Sequence, residues 1–201
     1  MIDRLYLLKI RLLDIKPEIW RRFVVPADIT LDRLHDVIQI VMGWQDYHLH
    51  EFFIGDQRYT EGTDTLEFME DSLEDGLYRL NDLVKRKGAR FSYNYDFGDY
   101  WQHELIVENS RYSDPEIYIP VQCIEGERAC PPEDVGGVGG YEYFCESVSN
   151  PEREEYESLN LWYDSFPWYE TGFDSERFDI DKINLSLAFF MRCSRDRLKP
   201  W

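Results

Sequence analysis

Strand patterns crowd the first half of the chain and helical patterns the second, and this ordering limits the folds open to it. Residues 5–13 and 19–25 are β-branched, aromatic and partly alternating, with Lys16 and Pro17 as the break between them. That is the pattern of two strands in a hairpin-like arrangement. Residues 48–54 and 57–60 flank Gly55-Asp56, a tight-turn pair, and so predict a second hairpin. Residues 90–95 and 101–107 alternate around Asp96-Phe97-Gly98-Asp99, whose turn chemistry predicts a third. Strands first and helices later, without strict βαβ alternation, predict an α+β fold: a mainly antiparallel sheet of hairpins packed against several helices.

The helical segments carry their own signals. Thr30 precedes a stretch in which Leu31, Leu34, Ile38 and Val41 recur at helical spacing; Thr30 is placed to cap free N–H groups, and Gly43 to close the end in a left-handed conformation. Residues 61–76 are acidic and poor in large aliphatics and read as a surface loop, and residues 80–87 as a short helix ended by Gly88. Glycine and proline cluster over 126–140. Residues 141–148 and 151–163 then read as helices, the second admitting Pro151 in its first turn. The last helix spans 182–191, with Ile183, Leu187 and Phe190 on one face and Asp179 or Asp181 as its cap.

A length of 201 residues fits one domain, residues 1–201, and no repeat or low-complexity linker divides it. The hydrophobic share of 43%, with 16% aromatic, is enough apolar surface to offset the entropy of ordering the chain. A formal net charge of −18 repels phosphate backbones and anionic membranes, so the expected partner is a protein or small ligand ahead of nucleic acid. The four cysteines, at 123, 130, 145 and 193, are too sparse for a disulfide scaffold and lack zinc-knuckle spacing. The first twenty residues alternate charge with short apolar runs, unlike a signal peptide, and no apolar stretch nears bilayer-spanning length. A reducing cytoplasm and no membrane are the expectation.

Metal-type chemistry has one set of candidates. His48 and His50 are two apart, as are Trp101 and His103, so on strands each pair shares a face; Asp96 and Asp99 sit at the intervening turn. If the two hairpins are neighbours, imidazoles and carboxylates converge in a set suited to a divalent metal such as zinc, manganese or iron. The structural alternative stands first: hydrogen-bonded histidines in an aromatic core and aspartates bonding their own turn. No cofactor is assigned on spacing alone. The aromatic run from Trp162 through Trp168 to Phe173 either lines a peptide groove or roofs the sheet. Lys85, Arg86, Lys87 and Arg90, and Arg192, Arg195, Arg197 and Lys199, form two basic clusters that read first as solvated helix ends.

Residues 16–26 (KPEIWRRFVVP), the helix ending in Gly43-Trp44, residues 48–52 (HLHEF), 95–105 (YDFGDYWQHEL), 123–144 (CIEGERACPPEDVGGVGGYEYF) and 178–187 (FDIDKINLSL) together resemble the Ri-plasmid third-open-reading-frame-like family. Some relatives bear labels such as transposon resolvase or insertion-element passenger protein; no recombinase serine-nucleophile motif is identifiable here. The resemblance implies a compact α+β fold and brings no established activity. It marks the loop Cys123, Cys130, Pro131, Pro132, Glu133, Asp134, Gly136 and Gly137 as a family-like motif. The family pattern usually has cysteine where Val135 stands, so a metal site using that cysteine would lack a ligand here. The loop reads as a rigid connection approached closely by another element, with Cys123 and Cys130 as small buried residues, ahead of a zinc or thiolate site. No nucleotide-binding glycine motif is present.

Three functions follow in order. The first is a non-catalytic accessory module binding a protein or small ligand. The second is a divalent-metal-dependent enzyme, hydrolytic, with His48, His50 and His103 as ligands and Asp96, Asp99 or Glu133 as ligand or general base. The third is a mobile-element-associated nucleic-acid accessory protein acting through Lys85, Arg86 and Lys87.

Overall fold

A computed structural model describes residues 4–62, 71–115, 117 and 119–193. Eight strands form one sheet: β1 (Leu5–Leu12), β2 (Trp20–Pro26), β3 (His50–Ile54), β4 (Gln57–Thr60), β5 (Ser72–Glu74), β6 (Arg90–Tyr95), β7 (Trp101–Tyr112) and β8 (Gln122–Glu127). Their order is β5-β4-β3-β6-β7-β1-β2-β8, antiparallel throughout except between β4 and β5. The helices are α1 (Leu31–Met42), the single turn α2 (Leu80–Leu83), α3 (Gly137–Val148), α4 (Tyr156–Asp164) and α5 (Ile180–Cys193). The fold is α+β.

Alternation decides which face each strand buries. On β1, Tyr6, Leu8, Ile10 and Leu12 are buried, whereas Lys9 and Arg11 point to the other side. Cross-strand partners share a face, so Tyr93 opposite His103 and Phe52 opposite Tyr93 continue the same apolar layer. Helix α1 lies on that layer through Leu31, Leu34, Val37, Ile38 and Val41, all fully buried. The other side carries a ladder of ion pairs, including Lys9–Glu18 and Arg11–Glu104 at 2.9 Å and Arg22–Glu108 at 2.6 Å.

Helix ends show where side-chain chemistry is overridden by tertiary partners. Thr30 is extended at the cap of α1, as its position requires, but its side chain makes no cap hydrogen bond. Backbone carbonyls serve instead, the Leu31 N–H donating to Tyr78 O at 3.0 Å. Gly43 ends the helix at φ 106°, donating its N–H to Gln39 O. Asp179 caps α5 by accepting from the Lys182 N–H at 2.9 Å.

Several sequence expectations need correction. The acidic stretch 61–76 contains β5 and a 3₁₀ turn at Asp75–Leu77, because Tyr59 and Thr60 of β4 offer an edge to pair with; residues 63–70 lie outside the described residues. Strand β8 falls at the start of the glycine-rich stretch, paired to β2. Helix α3 begins four residues before Tyr141, since Gly136 and Gly137 take positive φ and turn the loop directly into it. Helix α4 starts only at Tyr156, Pro151 lying in the preceding turns. The helix expected over 80–87 closes after one turn.

Candidate metal centre

The turn between β6 and β7, the loop between α1 and β3, and the segment before α3 meet at one end of the sheet. Asp96 opens the β6–β7 turn with φ 57°, held because its Oδ1 accepts from the Gly98 N–H at 2.8 Å. Its N–H donates to Leu49 O at 2.9 Å, tying the turn to the chain entering β3. These bonds leave Asp96 Oδ2 facing His48 Nε2 at 3.7 Å. From the other side Asp134, at φ 56°, brings Oδ1 to 3.2 Å from the same nitrogen, and Glu133 brings Oε2 to 3.9 Å. One ligand atom from each of His48, Asp96 and Asp134 lies within 4.8 Å of the other two.

Glu133 is the most constrained member. Its side chain is 1% exposed, its Oε1 accepts from the Gln45 N–H at 2.8 Å and the Tyr95 hydroxyl at 3.1 Å, and its Oε2 has no hydrogen-bond partner. Burial pushes its carboxyl above the usual carboxylate range. His48 Nε2 is also buried, and among the described residues neither it nor Glu133 Oε2 has a hydrogen-bond partner. Two lone-pair donors thus stand 3.9 Å apart, both desolvated and too far from one another to hydrogen-bond. Asp134, by contrast, is 64% exposed and opens the cluster to solvent.

The remaining sequence candidates lie elsewhere. Strand β3 starts at His50, so His48 sits in the bend before it and the two rings do not share a strand face. His50 is buried in the core, paired with Asp75 at 2.8 Å and stacked on His35. His103 is fully buried beside Tyr93 and Trp44, with Nδ1 donating to Tyr93 O at 3.1 Å, and burial lowers its pKa to about 3. Asp99 instead accepts from the Gly136 N–H at 3.0 Å, locking the two loops together. His48 and Asp96 come together, as the conditional metal reading required, whereas His50 and His103 are hydrogen-bonded histidines of the core, as the structural alternative placed first had it, and Asp99 bonds the Gly136 N–H.

The family-like loop divides between two roles. Pro131 and Pro132 are buried, and Pro131 O accepts from Trp44 Nε1 at 3.1 Å. A side chain at Gly137 would meet Asp99 O at 2.7 Å, which fits the close approach expected of the glycines. Cys123 is buried with its thiol pushed up to about 11 by burial, and Cys130 is half-buried with its thiol also raised by burial, so neither offers a ready thiolate. Val135 is partly buried against the core. Asp134 and Glu133 beside it were visible as acidic residues in the loop; their approach to His48 had no signal in spacing.

Behind the loop lies a cleft of about 380 Å³ lined by Trp44, Cys130, Tyr163, Trp168, Arg177 and Lys182 among others. Trp168 belongs to it and also meets exposed Tyr47 edge-on at 5.6 Å. Trp162 does not; it packs against Phe144 and Phe166. Lys85, Arg86 and Lys87 are exposed, and Arg90 pairs with Glu104 at 2.6 Å. Of the second basic cluster only Arg192 falls within the described residues; Arg195, Arg197 and Lys199 lie outside them. Among the described residues no helix is long and apolar enough to cross a membrane.

Known proteins resemble this chain along most of its length. An uncharacterised protein, y4hQ, from Sinorhizobium fredii (strain NBRC 101917 / NGR234) is 34% identical over 186 residues, covering 92% of this chain and 91% of its own. A crystal structure of a protein of unknown function, MM3350, from Methanosarcina mazei Go1 superposes with a TM-score of 0.73 at 36% identity, covering 88% of this chain and 96% of that one. Neither relative carries an assigned activity. The model of the plasmid pRiA4b ORF-3-like proteins matches residues 4–182, and the chain belongs to that family.

Proposed function

We propose that the protein is a binding module organised around one divalent cation, held by His48 Nε2, Asp96 Oδ2 and Asp134 Oδ1, with Glu133 Oε2 as the fourth donor. The observation that carries this reading is the pair of buried atoms without a hydrogen-bond partner among the described residues, His48 Nε2 and Glu133 Oε2, 3.9 Å apart beside the carboxylates of Asp96 and Asp134. Four donors at about 2.1 Å from a tetrahedral ion stand about 3.4 Å apart. The separations of Asp134 Oδ1 and Asp96 Oδ2 from His48 Nε2, 3.2 and 3.7 Å, bracket that value, whereas Glu133 Oε2, 3.9 Å from His48, stands outside the three-residue group and has to move in to join it. One imidazole with carboxylates suits zinc, manganese or iron(II).

Three carboxylates around a dication leave the centre negative, and the chain as a whole carries −18. That field favours a neutral or basic partner over nucleic acid. Tyr47, Leu49 and Tyr100, each at least 40% exposed, flank the cluster and supply apolar contact area for a protein or small ligand. The sparse, unpaired Cys123, Cys130 and Cys145 suit a reducing cytoplasm. Hydrolytic chemistry is the second reading, favoured by the exposure of Asp134, which leaves room for a metal-bound water.

The test is metal content by elemental mass spectrometry on protein purified without chelator, followed by calorimetric titration with zinc and manganese. One equivalent in the wild type, lost in folded His48→Gln and Asp96→Asn variants, is the expected result. A wild type that binds neither ion sinks the proposal. Hydrolase screening of the loaded protein then separates the two readings.

A further inference from the structure

The loop that delivers His48 is held from beneath by a hydrogen-bond chain whose proton positions can be worked out. Asp46 donates its N–H to Gln39 Oε1 at 3.0 Å, which fixes the orientation of the Gln39 amide. Gln39 Nε2 therefore donates to the Tyr93 hydroxyl at 3.0 Å, and that hydroxyl has a single proton left to give. It goes to His35 Nδ1 at 2.8 Å. His35 must then carry its proton on Nε2 and donate it to Asp46 Oδ1 at 2.7 Å.

Asp46 is consequently gripped at both its backbone N–H and its carboxylate, and it adopts φ 58°, a left-handed conformation that reverses the chain. The residues on either side hold groups next to the cation cluster. Gln45 before it donates the N–H that holds Glu133 Oε1, and Tyr47 after it donates its N–H to the Tyr95 hydroxyl at 3.1 Å, immediately ahead of His48. His35 is buried and Asp46 half-exposed, so this side-chain pair joins the Gln39–Asp46 bond in tying the core to the loop.

We propose that His35, acting through Asp46, is a positioning residue for the cation centre: it fixes the loop geometry that presents His48 and orients Glu133, and thereby sets the affinity for the ion. The inference rests on the cation reading above. Groups that orient metal ligands typically change affinity by about 10- to 100-fold when removed.

Zinc and manganese titrations of the full chain test it with four variants. Asp46→Ala removes the acceptor at a surface position. His35→Gln keeps a donor long enough to reach Asp46, whereas His35→Asn is too short to reach it. Leu8→Ala damages the core far from the loop. Asp46→Ala and His35→Asn are expected to weaken binding about 10- to 100-fold, with His35→Gln restoring it to within about 3-fold of wild type. Leu8→Ala should lower the melting temperature and leave the dissociation constant unchanged, so that weaker binding in Asp46→Ala and His35→Asn reports positioning of the site; an equal loss of affinity in Leu8→Ala would assign His35 a merely structural role and overturn the inference. Wild-type binding with Asp46→Ala and His35→Asn equally tight overturns this inference alone. Failure of the wild type to bind overturns the cation reading and this inference with it.

Discussion

The imidazoles of His35 and His50 lie face to face, ring centroids 3.6 Å apart and planes within 10° of parallel, in the core beneath α1. Burial first, and the facing His50 second, lower the His35 pKa from 6.5 to about 4. Burial also lowers His103, to about 3.

Both histidines make stability depend on pH in one direction. As pH falls through about 6.5 the unfolded chain takes up a proton on each, while the folded chain does not until about 4 and 3. The unfolded state therefore binds more protons across that window, and stability declines with acidification by about 1.4 kcal/mol per pH unit for each histidine. Urea unfolding followed from neutral pH to about pH 5 should show this slope, with His103→Phe removing roughly half of it. A flat profile would mean that these rings are charged in the fold.

Two glycines of one helix are expected to behave oppositely. A methyl at Gly140 would stand 2.0 Å from Val135 O, backbone that the Asp99–Gly136 bond holds in place. A methyl at Gly139 meets nothing within 4 Å. Gly140→Ala should cost about 3 kcal/mol or more through forced backbone movement, while Gly139→Ala should gain about 0.5–1 kcal/mol from helix propensity. Thermal melts of the two variants settle it, and equal effects would contradict the close approach at Gly140.

Among the described residues no carboxylate pairs with buried Arg21, and its guanidinium donates instead to the carbonyls of Val41, Trp20, Glu127 and Arg128 at 2.7–2.8 Å. It thereby ties β2 and the chain leaving β8 to the end of α1. Lysine presents one ammonium where this fork reaches four acceptors. Arg21→Lys should cost about 3 kcal/mol, as buried carbonyls lose their donors. Denaturant titration showing less than about 1 kcal/mol would mean that water replaces the guanidinium.

Much of this architecture was legible in local sequence. Alternation around Asp96-Phe97-Gly98-Asp99 marked β6 and β7, and the spacing of Leu31, Leu34, Ile38 and Val41 marked α1, because burial on one face imposes those periods. Strand β5 was illegible: three residues pair with an edge that the fold supplies, and one leucine, Leu73, between Ser72 and Glu74 is too short a pattern to announce them. The cluster was half legible. His48 and Asp96 follow from neighbouring hairpins, but the approach of Glu133 and Asp134 depends on the loop before α3, locked by Asp99 and Gly136 across 37 residues. His50 looked equivalent to His48 in sequence, and only the strand boundary between them sends one ring to the core and leaves the other in the loop.

Glu133→Gln separates the cost of burying this carboxylate from the cluster's capacity for an ion. In the metal-free protein the Glu133 carboxylate is buried with one oxygen unpartnered, and burial raises its pKa. An acid whose folded pKa is raised destabilises the fold above that pKa, and the penalty fades as pH falls through it and the group protonates. Glutamine keeps an oxygen for the Gln45 N–H and the Tyr95 hydroxyl and removes the charge. The chelated variant should therefore melt higher than chelated wild type at neutral pH, by about 1 kcal/mol of stability, and the gap should close on acidification. Adding zinc reverses the order. An ion at about 100 times its dissociation constant stabilises the wild type by about 2.7 kcal/mol, whereas the variant, one donor poorer, gains less. Melting curves with chelator and with zinc test both halves together. If the substitution leaves both unchanged, Glu133 serves only to hold the loop through Gln45 and Tyr95.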